Sequence, residues 1–265
     1  MTPLEPILKA QINAQGPMSI SEYMAICLFH PEHGYYSTRE PFGAAGDFIT
    51  APEVSQMFGE LIGLTLAQTW MDQGKPARIA LAELGPGRGT LMADILRTVK
   101  AVPDFAKACE VHLVEASQRL RTQQADTLRG TTPIWHDHTD QLANDMPLYL
   151  VANEFFDALP IRQMVRDGDA WRERQVGLDD KALAFGLGPN TPQPALAHRL
   201  EDTNDGDIVE DCAVASPFVN TVGLRIKQHG GAALFIDYGD WRSLGDTLQA
   251  IKDHETVSPL VQAGQ

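Results

Sequence analysis

An acid and a glycine-rich stretch follow one another closely at Glu83, Gly85, Pro86, Gly87 and Gly89. The apolar run that ends at the acid predicts a buried strand, and the periodic apolar residues after the last glycine predict a helix. Glycines in such a turn allow positive φ and let a ligand approach the backbone closely. The unpaired N–H groups of the first helical turn can bind a carboxylate or a phosphate. These residues therefore predict a nucleotide-type ligand site at the carboxyl end of a parallel strand.

Two classes of ligand use such a loop, and the glycine spacing distinguishes them. A dinucleotide site requires Gly-x-Gly-x-x-Gly, but here the third glycine would fall at Thr90. The observed Glu-x-Gly-x-Gly-x-Gly instead resembles the first motif of class I S-adenosylmethionine-dependent methyltransferases. The acid can accept the ammonium of the methionine part, and the loop amides can bind its carboxylate. The alternative is an ordinary strand-to-helix turn whose glycines serve packing.

Two further acids follow predicted strands. Glu115 ends the apolar run that begins at Cys109, and Asp137 follows a short third strand from Pro133 to His136. In doubly wound folds, the acid that ends the second strand accepts hydrogen bonds from ribose hydroxyls. Asp137 stands where an adenine amino group would be met. The alternatives are an ordinary acid at a helix N-terminus for Glu115 and a polar turn around Asp137.

Polar and aromatic residues cluster after the predicted fourth strand. Asn153, Glu154 and Asp157 surround Phe155 and Phe156 at the place where a doubly wound fold has its catalytic crevice. Two acids beside aromatic rings can hold a guanidinium or an ammonium through paired hydrogen bonds and cation–π contacts. The alternative is a helix cap with solvated acids, and the position after the strand favours a functional role.

A glycine-rich, aromatic segment from Phe42 to Glu60 precedes these strands. Its polar residues are dense between Asp47 and Gln56. One interpretation is a surface loop followed by a helix whose first turn contains proline and glutamate. The other is a lid over the ligand with glycines as hinges. The residues alone do not favour either interpretation.

The alternation of strands and helices predicts an α/β fold with a mostly parallel, doubly wound, Rossmann-like sheet. We expect an N-terminal helical and lid segment over 1–76. The parallel-sheet domain is expected over 77–160 and 216–265. Between its two parts, 161–215 breaks the alternation and predicts an antiparallel insert with a hairpin at Asp167-Gly168-Asp169.

Composition limits the classes of partner. The chain has 265 residues, 43% of them hydrophobic, and a net charge of −14. Because nucleic-acid binding needs clustered Lys and Arg, which this chain lacks, we expect no nucleic-acid partner. A cationic substrate such as an arginine or lysine side chain suits the charge better. The three cysteines are far apart and form no ligand cluster with histidines, so we expect no metal.

Targeting signals are also not recognisable in the sequence. No apolar run approaches about 18 residues, which predicts that no segment spans a membrane. Residues 1–10 show neither the apolar core of a signal peptide nor the Arg-rich character of a transit peptide. We therefore expect a bacterial-type, cytoplasmic protein.

Several motifs together go beyond a general class I methyltransferase. In chain order, they resemble the MidA-like methyltransferase family, which includes a mitochondrial complex I assembly factor that methylates an arginine of a complex I subunit. The motifs are Gly34-Tyr-Tyr-Ser37, Gly46-Asp-Phe-Ile-Thr-Ala-Pro-Glu-Val-Ser-Gln-Met-Phe-Gly-Glu60, Glu83-Leu-Gly-Pro-Gly-Arg-Gly-Thr90, Asn153-Glu-Phe-Phe-Asp-Ala-Leu-Pro160 and Asp237-Tyr-Gly239.

This resemblance implies a cofactor, a substrate and their contacts. It implies S-adenosyl-L-methionine bound by Glu83 to Gly89, Glu115, Asp137 and the lid residues Gly46, Asp47, Thr50 and Gln56. It implies a protein-arginine N-methyltransferase that acts on a subunit of respiratory complex I type, with Glu154 and Asp157 holding the guanidinium beside Asn153. We expect the antiparallel hairpin that closes the seven-stranded sheet of the class to be missing.

Two other functions stay open at this level. One is a non-catalytic assembly chaperone whose cofactor site is structural, an interpretation that the missing hairpin favours. The other is a small-molecule methyltransferase. The sequence does not indicate the oligomeric state.

Overall fold

The computed structural model describes residues 2–38, 50–239, 245–252 and 255–264. The chain divides into two compact units. One contains Phe42–Asp157 and Ser216–Tyr238, and we call it the parallel-sheet unit. The other contains Met1–Pro41, Ala158–Ala215 and Gly239–Gln265, and we call it the antiparallel-sheet unit.

The helices and strands of the described residues are as follows. The strands are β1 (Met18–Ser19), β2 (Ile79–Leu84), β3 (Cys109–Val114), β4 (Ile134–His136), β5 (Leu148–Asn153), β6 (Arg162–Asp167), β7 (Ala170–Asp179), β8 (Ala182–Thr191), β9 (Ile208–Asp211), β10 (Gly231–Ile236), β11 (Ala250–Lys252) and β12 (Glu255–Val257). The α-helices are α1 (Leu4–Gln15), α2 (Ile20–Phe29), α3 (Tyr35–Thr38), α4 (Ala51–Val54), α5 (Gln56–Asp72), α6 (Thr90–Val99), α7 (Pro103–Ala108), α8 (Gln118–Thr127) and α9 (Ala215–His229). Short 3-10 helices cover Thr139–Gln141 and Pro194–Leu200.

The parallel-sheet unit is built on a five-stranded sheet in the order β10-β5-β2-β3-β4, with every neighbouring pair parallel. Every residue of the central strand β2 is buried, because the sheet has an apolar core on each face. Leu81 belongs to the core that contains Trp70 of α5 and Ile95 of α6. Ala82 belongs to the opposite core, which contains Val222 of α9. This arrangement confirms the predicted α/β fold and its doubly wound, parallel sheet.

Strand order places the ligand-binding edge of this sheet. The chain runs outward from β2 to β3 and β4, then returns to the other side of β2 for β5 and β10. The direction of winding therefore reverses between β2 and β5. In open α/β sheets, ligands bind outside the carboxyl ends of the strands at such a point.

The antiparallel-sheet unit contains a sheet in the order β1-β7-β6-β9, with β8 paired to β7. The predicted hairpin at Asp167-Gly168-Asp169 is confirmed, since Asp167 pairs with Ala170 and Gly168 has a φ of 62°. Apolar residues of α1 and α2 form a core with Val176 of β7. Ser19 and Glu22 form a capping box at the start of α2.

The compact units divide the chain differently from the three predicted segments, 1–76, 77–160 with 216–265, and 161–215. The N-terminal residues group with the antiparallel sheet because Met18 of β1 pairs with Val176 of β7. The C-terminal residues group there too, and the Tyr23 hydroxyl donates to the carbonyl of Pro259 at 2.6 Å. Helices α4 and α5, predicted as part of the lid segment, belong with the parallel sheet.

The outer strand of the parallel sheet on the β5 side is β10 among the described residues. Strands β11 and β12 pair with each other in a separate two-stranded sheet, so they do not extend the parallel sheet. Over the same described ranges, no helix combines the length and apolar character needed to cross a bilayer.

Candidate functional site

The glycine-rich turn after β2 takes the conformation that its sequence predicts. Gly85, Gly87 and Gly89 have φ angles of 59°, 51° and 83°, all in the left-handed region that favours glycine. A Cβ on Gly85 would lie 2.8 Å from Cδ2 of Phe155, so an aromatic ring lies directly against the turn. Gly89 is the N-cap of α6, and the first N–H groups of that helix therefore face the turn.

Glu83 is the most unusual carboxyl group of the site. Its side chain is only 3% exposed, and this burial raises its pKa to about 8, although the backbone N–H of Met92 donates a hydrogen bond to it. Its Oε2 is buried and has no hydrogen-bond partner. A buried carboxylate without a full set of partners is costly. A cationic ligand group with N–H donors would supply both the missing charge and the missing hydrogen bond.

Glu115 follows β3 and has a different environment. Its Oε1 accepts a hydrogen bond from the backbone N–H of Ser117 at 2.8 Å, and its Oε2 accepts one from the Gln124 amide at 3.3 Å. Burial raises its pKa, while these two hydrogen bonds lower it. Both oxygens are thus fixed in direction, and each retains capacity for a further donor such as a ribose hydroxyl.

Asp137 follows β4, and the structure brings it to the edge next to Glu115 because Val114 pairs with His136. Its carboxylate forms an ion pair with Arg121 of α8, with Nη2 and Oδ1 at 2.6 Å. The side chain is exposed. A group that already has a cationic partner is a less available acceptor for an adenine amino group than the sequence suggests.

The predicted catalytic residues lie after β5, on the other side of β2. Glu154 has a φ of 51°, and its Oε1 accepts hydrogen bonds from the Asn153 amide at 3.1 Å and from the backbone N–H of Ala51 at 3.4 Å. The Asn153 Oδ1 is buried and has no partner. Asp157 is exposed. A strained backbone at Glu154 next to an unpaired buried oxygen at Asn153 is typical of functional sites.

Asp237 and Tyr238, which follow β10, also lie at this end of the site, and the sequence pattern predicts no role for either. Asp237 Oδ2 accepts hydrogen bonds from the backbone N–H groups of Phe156 and Asp157, at 3.2 and 3.1 Å. The pKa of Tyr238 is raised by desolvation and by the nearby carboxylates of Glu154 and Asp157, although its side chain is largely exposed. Both residues lie in the Asp237-Tyr-Gly239 motif. This motif contributes to the family resemblance but does not by itself indicate a role for either side chain.

The segment before α5 also contacts the glycine-rich turn. Glu53 in α4 accepts a hydrogen bond from the Thr90 hydroxyl at 2.7 Å and forms an ion pair with Arg88 at 3.4 Å. We predicted Thr50 and Gln56 here instead. Thr50 is the N-cap of α4, whereas the exposed Gln56 amide donates to Glu60 further along its own helix.

The remaining predicted lid residues, Gly46 and Asp47, lie outside the described residues. Glu53 was missed because its place in the first turn of a helix suggested only a local capping role. Over the described ranges, no group of three or more His, Cys, Asp or Glu side chains is placed to hold a metal ion.

Comparison with known proteins gives consistent matches. A family model described as "Putative S-adenosyl-L-methionine-dependent methyltransferase" matches residues 61–265. The Homo sapiens protein named "Protein arginine methyltransferase NDUFAF7, mitochondrial" is 37% identical over 292 residues, covering 100% of this chain and 65% of the relative. Its Drosophila melanogaster homolog is 34% identical, covering 97% of this chain and 65% of the relative. The chain thus spans about two thirds of the length of its curated relatives.

A solved structure is similar over almost the whole chain. It is a protein from Burkholderia thailandensis, described as a "likely methyl transferase" and bound to S-adenosyl-homocysteine. The TM-score is 0.83 at 30% identity, and the match covers 98% of this chain and 70% of that one.

The names of the relatives also correct one prediction. Both curated relatives are mitochondrial proteins by name, so the prediction of a cytoplasmic location is wrong. It relied on failing to recognise a leader in the first ten residues, which is a weak criterion. The family-model match and the curated relatives nevertheless agree with the resemblance seen in the sequence, and the chain belongs to this family of S-adenosyl-L-methionine-dependent methyltransferases.

Proposed function

We propose that the protein binds S-adenosyl-L-methionine and transfers its methyl group to an arginine side chain of a protein. The observation that carries this proposal is the unpaired, buried Oε2 of Glu83 beside a glycine-rich turn at the reversal point of the sheet. The name of the human relative and the ligand of the Burkholderia structure support the same function.

The residues of the parallel-sheet unit fit the cofactor group by group. Glu83 would face the ammonium of the methionine part, and the N–H groups of the turn and of α6 would bind its carboxylate. Glu115 would accept hydrogen bonds from the ribose hydroxyls. Asp137 would lie near the adenine, and Thr50 would lie on the lid side. Gly46, Asp47 and Gln56 are proposed here from the family resemblance alone.

The residues after β5 would hold the substrate. Glu154 carries a carboxylate beside the exposed acid Asp157, and the pair would bind a guanidinium by charge-assisted hydrogen bonds. The bound cofactor supplies a methyl group made electrophilic by its sulfonium. A guanidinium nitrogen held by these residues would form the new N–C bond, and the electron pair of the broken S–C bond would stay on the sulfur. The nitrogen would then lose a proton to Glu154, whose carboxylate accepts the hydrogen bond from the Asn153 amide that would position it.

The proposed substrate is a protein subunit of respiratory complex I type. This part rests on the resemblance of the motifs to the MidA-like family. The net charge of −14 suits a cationic target.

Calorimetric titration with S-adenosyl-homocysteine tests the cofactor site. Wild-type protein is expected to bind it, and Glu115→Ala is expected to weaken binding by about 10-fold or more, since hydrogen bonds to a charged group are lost. Glu110→Ala is the matched control. Glu110 lies near the start of β3, the strand that Glu115 follows, and its ion pair with Arg78 is largely exposed. Failure of the wild-type protein to bind would refute the proposed function.

Glu154→Gln tests the transfer step. The protein would be incubated with purified complex I and isotopically labelled S-adenosylmethionine, and the arginines of the subunits analysed by mass spectrometry. The variant is expected to bind S-adenosyl-homocysteine normally but to transfer no label, because the amide cannot hold the guanidinium by charge or accept its proton. Full transfer by the variant would exclude this role for Glu154.

A further inference from the structure

The amide of Gln124, in α8, is completely buried and connects three parts of the candidate cofactor site. Its Nε2 donates to the carbonyl of Gly87 at 2.8 Å and to Oε2 of Glu115 at 3.3 Å. Its Oε1 accepts a hydrogen bond from Nε1 of Trp135 in β4 at 2.8 Å. The relative exposure of the residue is 0%. One side chain therefore contacts the turn after β2, the acid after β3 and the strand β4.

The chemistry of these partners fixes which way the amide points. The indole Nε1–H of Trp135 can only donate, so it must face the amide oxygen. The carbonyl of Gly87 and the carboxylate of Glu115 can only accept, so they must face the amide hydrogens. A flipped amide would bring two donors together at one end and place its oxygen against two acceptors at the other. Glutamine is thus the only common side chain of this length that satisfies all three partners.

Helix α8 holds the glycine-rich turn at a second point. The hydroxyl of Thr127, three residues after Gln124, donates to the carbonyl of Arg88 at 2.8 Å. A Cβ on Gly89 would come within 3.5 Å of Cα of Gln124. The turn is therefore packed against this face of α8. Arg121 of the same helix donates to the backbone carbonyl of Glu115 at 2.7 Å, whereas the Gln124 amide contacts both the turn and the Glu115 carboxylate.

We propose that Gln124 is a positioning residue that sets the distance and angle between the glycine-rich turn and the Glu115 carboxylate, and so aligns that carboxylate with the ribose hydroxyls of the cofactor. This rests on the proposed function, because it assumes that the cofactor lies across both elements. The residue acts through Glu115 and Gly87, and no contact with the cofactor is needed. Nothing in the local sequence indicates this role, since α8 is a strongly polar helix.

A change of charge without a change of shape isolates this role. Gln124→Glu keeps the length and branching of the side chain but puts a second carboxyl group 3.3 Å from Glu115 Oε2. Two such carboxyl groups cannot both ionise without repulsion, and they hold a proton to higher pH than either would alone. Charged groups that act on Glu115 are Arg121 and Arg119, and the substitution leaves both in place.

The test is calorimetric titration of S-adenosyl-homocysteine at several pH values between about pH 6 and pH 9. Burial raises the pKa of Glu83 to about 8, so this carboxyl gains a proton towards acid pH in the wild type and in the variant alike. The quantity compared is therefore the ratio of the two affinities at each pH. Affinity of Gln124→Glu is expected to be about 10- to 100-fold weaker than that of the wild type at the alkaline end. The difference should become smaller towards acid pH, where a protonated Glu at 124 can again donate to Glu115.

Gln118→Glu is the matched control, since it adds the same charge to an exposed position of the same helix. It is expected to follow the wild-type pH dependence with an affinity change under about 3-fold. A merely structural role for Gln124 predicts a loss of affinity relative to the wild type that does not depend on pH. An unchanged affinity, or a ratio of variant to wild-type affinity that stays constant with pH, would overturn the proposal.

A second variant keeps the proposal testable if Gln124→Glu does not fold. Trp135→Phe removes the donor that orients the amide and leaves Gln124, Gly87 and Glu115 unchanged. Affinity for S-adenosyl-homocysteine is expected to fall about 3- to 10-fold, since a neutral hydrogen bond is lost. Wild-type affinity in this variant would contradict the proposal. Absence of binding by the wild-type protein would instead refute the proposed function, so the two failures are distinguishable.

Discussion

Replacing Glu83 with glutamine should stabilise the protein without ligand at neutral pH while removing its ligand site. The Glu83 side chain is buried near the carboxyl end of β2, and this burial raises its pKa from 4.5 to about 8. The folded protein therefore keeps a proton that the unfolded chain releases between these two values. Since the folded state binds more protons across this window, its free energy of unfolding falls as the pH rises.

The magnitude follows from the width of that window. Each pH unit between the two pKa values removes about 1.4 kcal/mol, so the wild-type protein loses at most about 5 kcal/mol between pH 4.5 and 8. Glu83→Gln has no such dependence and should be the more stable protein at pH 8. The pKa values of His112 and His136 are lowered, and these two groups affect the free energy of unfolding at acid pH. They are common to both proteins and cancel in the difference.

Urea unfolding at closely spaced pH values measures the difference between the two proteins. Glu110→Gln is the control, because it makes the same substitution at a partly exposed carboxylate of β3. Titration of S-adenosyl-homocysteine in buffers of different ionisation enthalpy should also show proton release by the wild-type protein below about pH 8, because a bound ammonium favours ionised Glu83. Parallel stability curves for wild type and Glu83→Gln, or binding without proton release, would refute the reasoning.

Three further substitutions test the elements around this carboxylate. Gly85→Ala should lower the free energy of unfolding in urea by about 2 kcal/mol or more, since φ is 59° and the new methyl would lie 2.8 Å from the Phe155 ring. Gly168→Ala is the control that separates the two causes, because φ is positive there but the space is open. Glu53→Gln should weaken S-adenosyl-homocysteine binding about 5-fold, because the bond from Thr90 loses its charged acceptor. Unchanged calorimetric affinity would exclude α4 from the site. Asp237→Asn should raise KM for the protein substrate and spare cofactor affinity.

The sequence was sufficient for the parallel sheet because its signals are local. Each strand of the core is an apolar run bounded by turn residues. The acids that end these runs, of which Glu83 is the first, can be assigned to strand ends from their position in the sequence. Once the strands are parallel, their carboxyl ends must meet at one edge. The grouping of the chain into compact units was less predictable. It depends on a two-residue strand, Met18–Ser19, whose pairing with β7 spans more than 150 residues of sequence and has no periodicity to detect.

Site residues that act through long-range contacts were missed for the same reason. Gln124 lies in a run of polar residues that predicts a solvated helical face, and only the fold shows that its amide is buried between Gly87 and Glu115. Glu53 resembles an ordinary first-turn acid until α4 is placed against Thr90. In both cases the residue type satisfies the local rules, so no conflict in the sequence draws attention to it.

The two acids at the strand ends, Glu83 and Glu115, differ in how fully the protein satisfies their carboxyl oxygens. Burial raises the pKa of both Glu83 and Glu115, yet Glu115 has a hydrogen bond at each oxygen, and Glu83 leaves one oxygen without a partner. A hydroxyl pair is neutral, so it is recognised by acceptors whose direction the protein has already fixed. An ammonium is charged, and an incompletely satisfied carboxylate gains most from it. In the proposed cofactor site, the different environments of these acids would therefore suit two different polar groups of S-adenosylmethionine, the ammonium of its methionine part and the hydroxyls of its ribose.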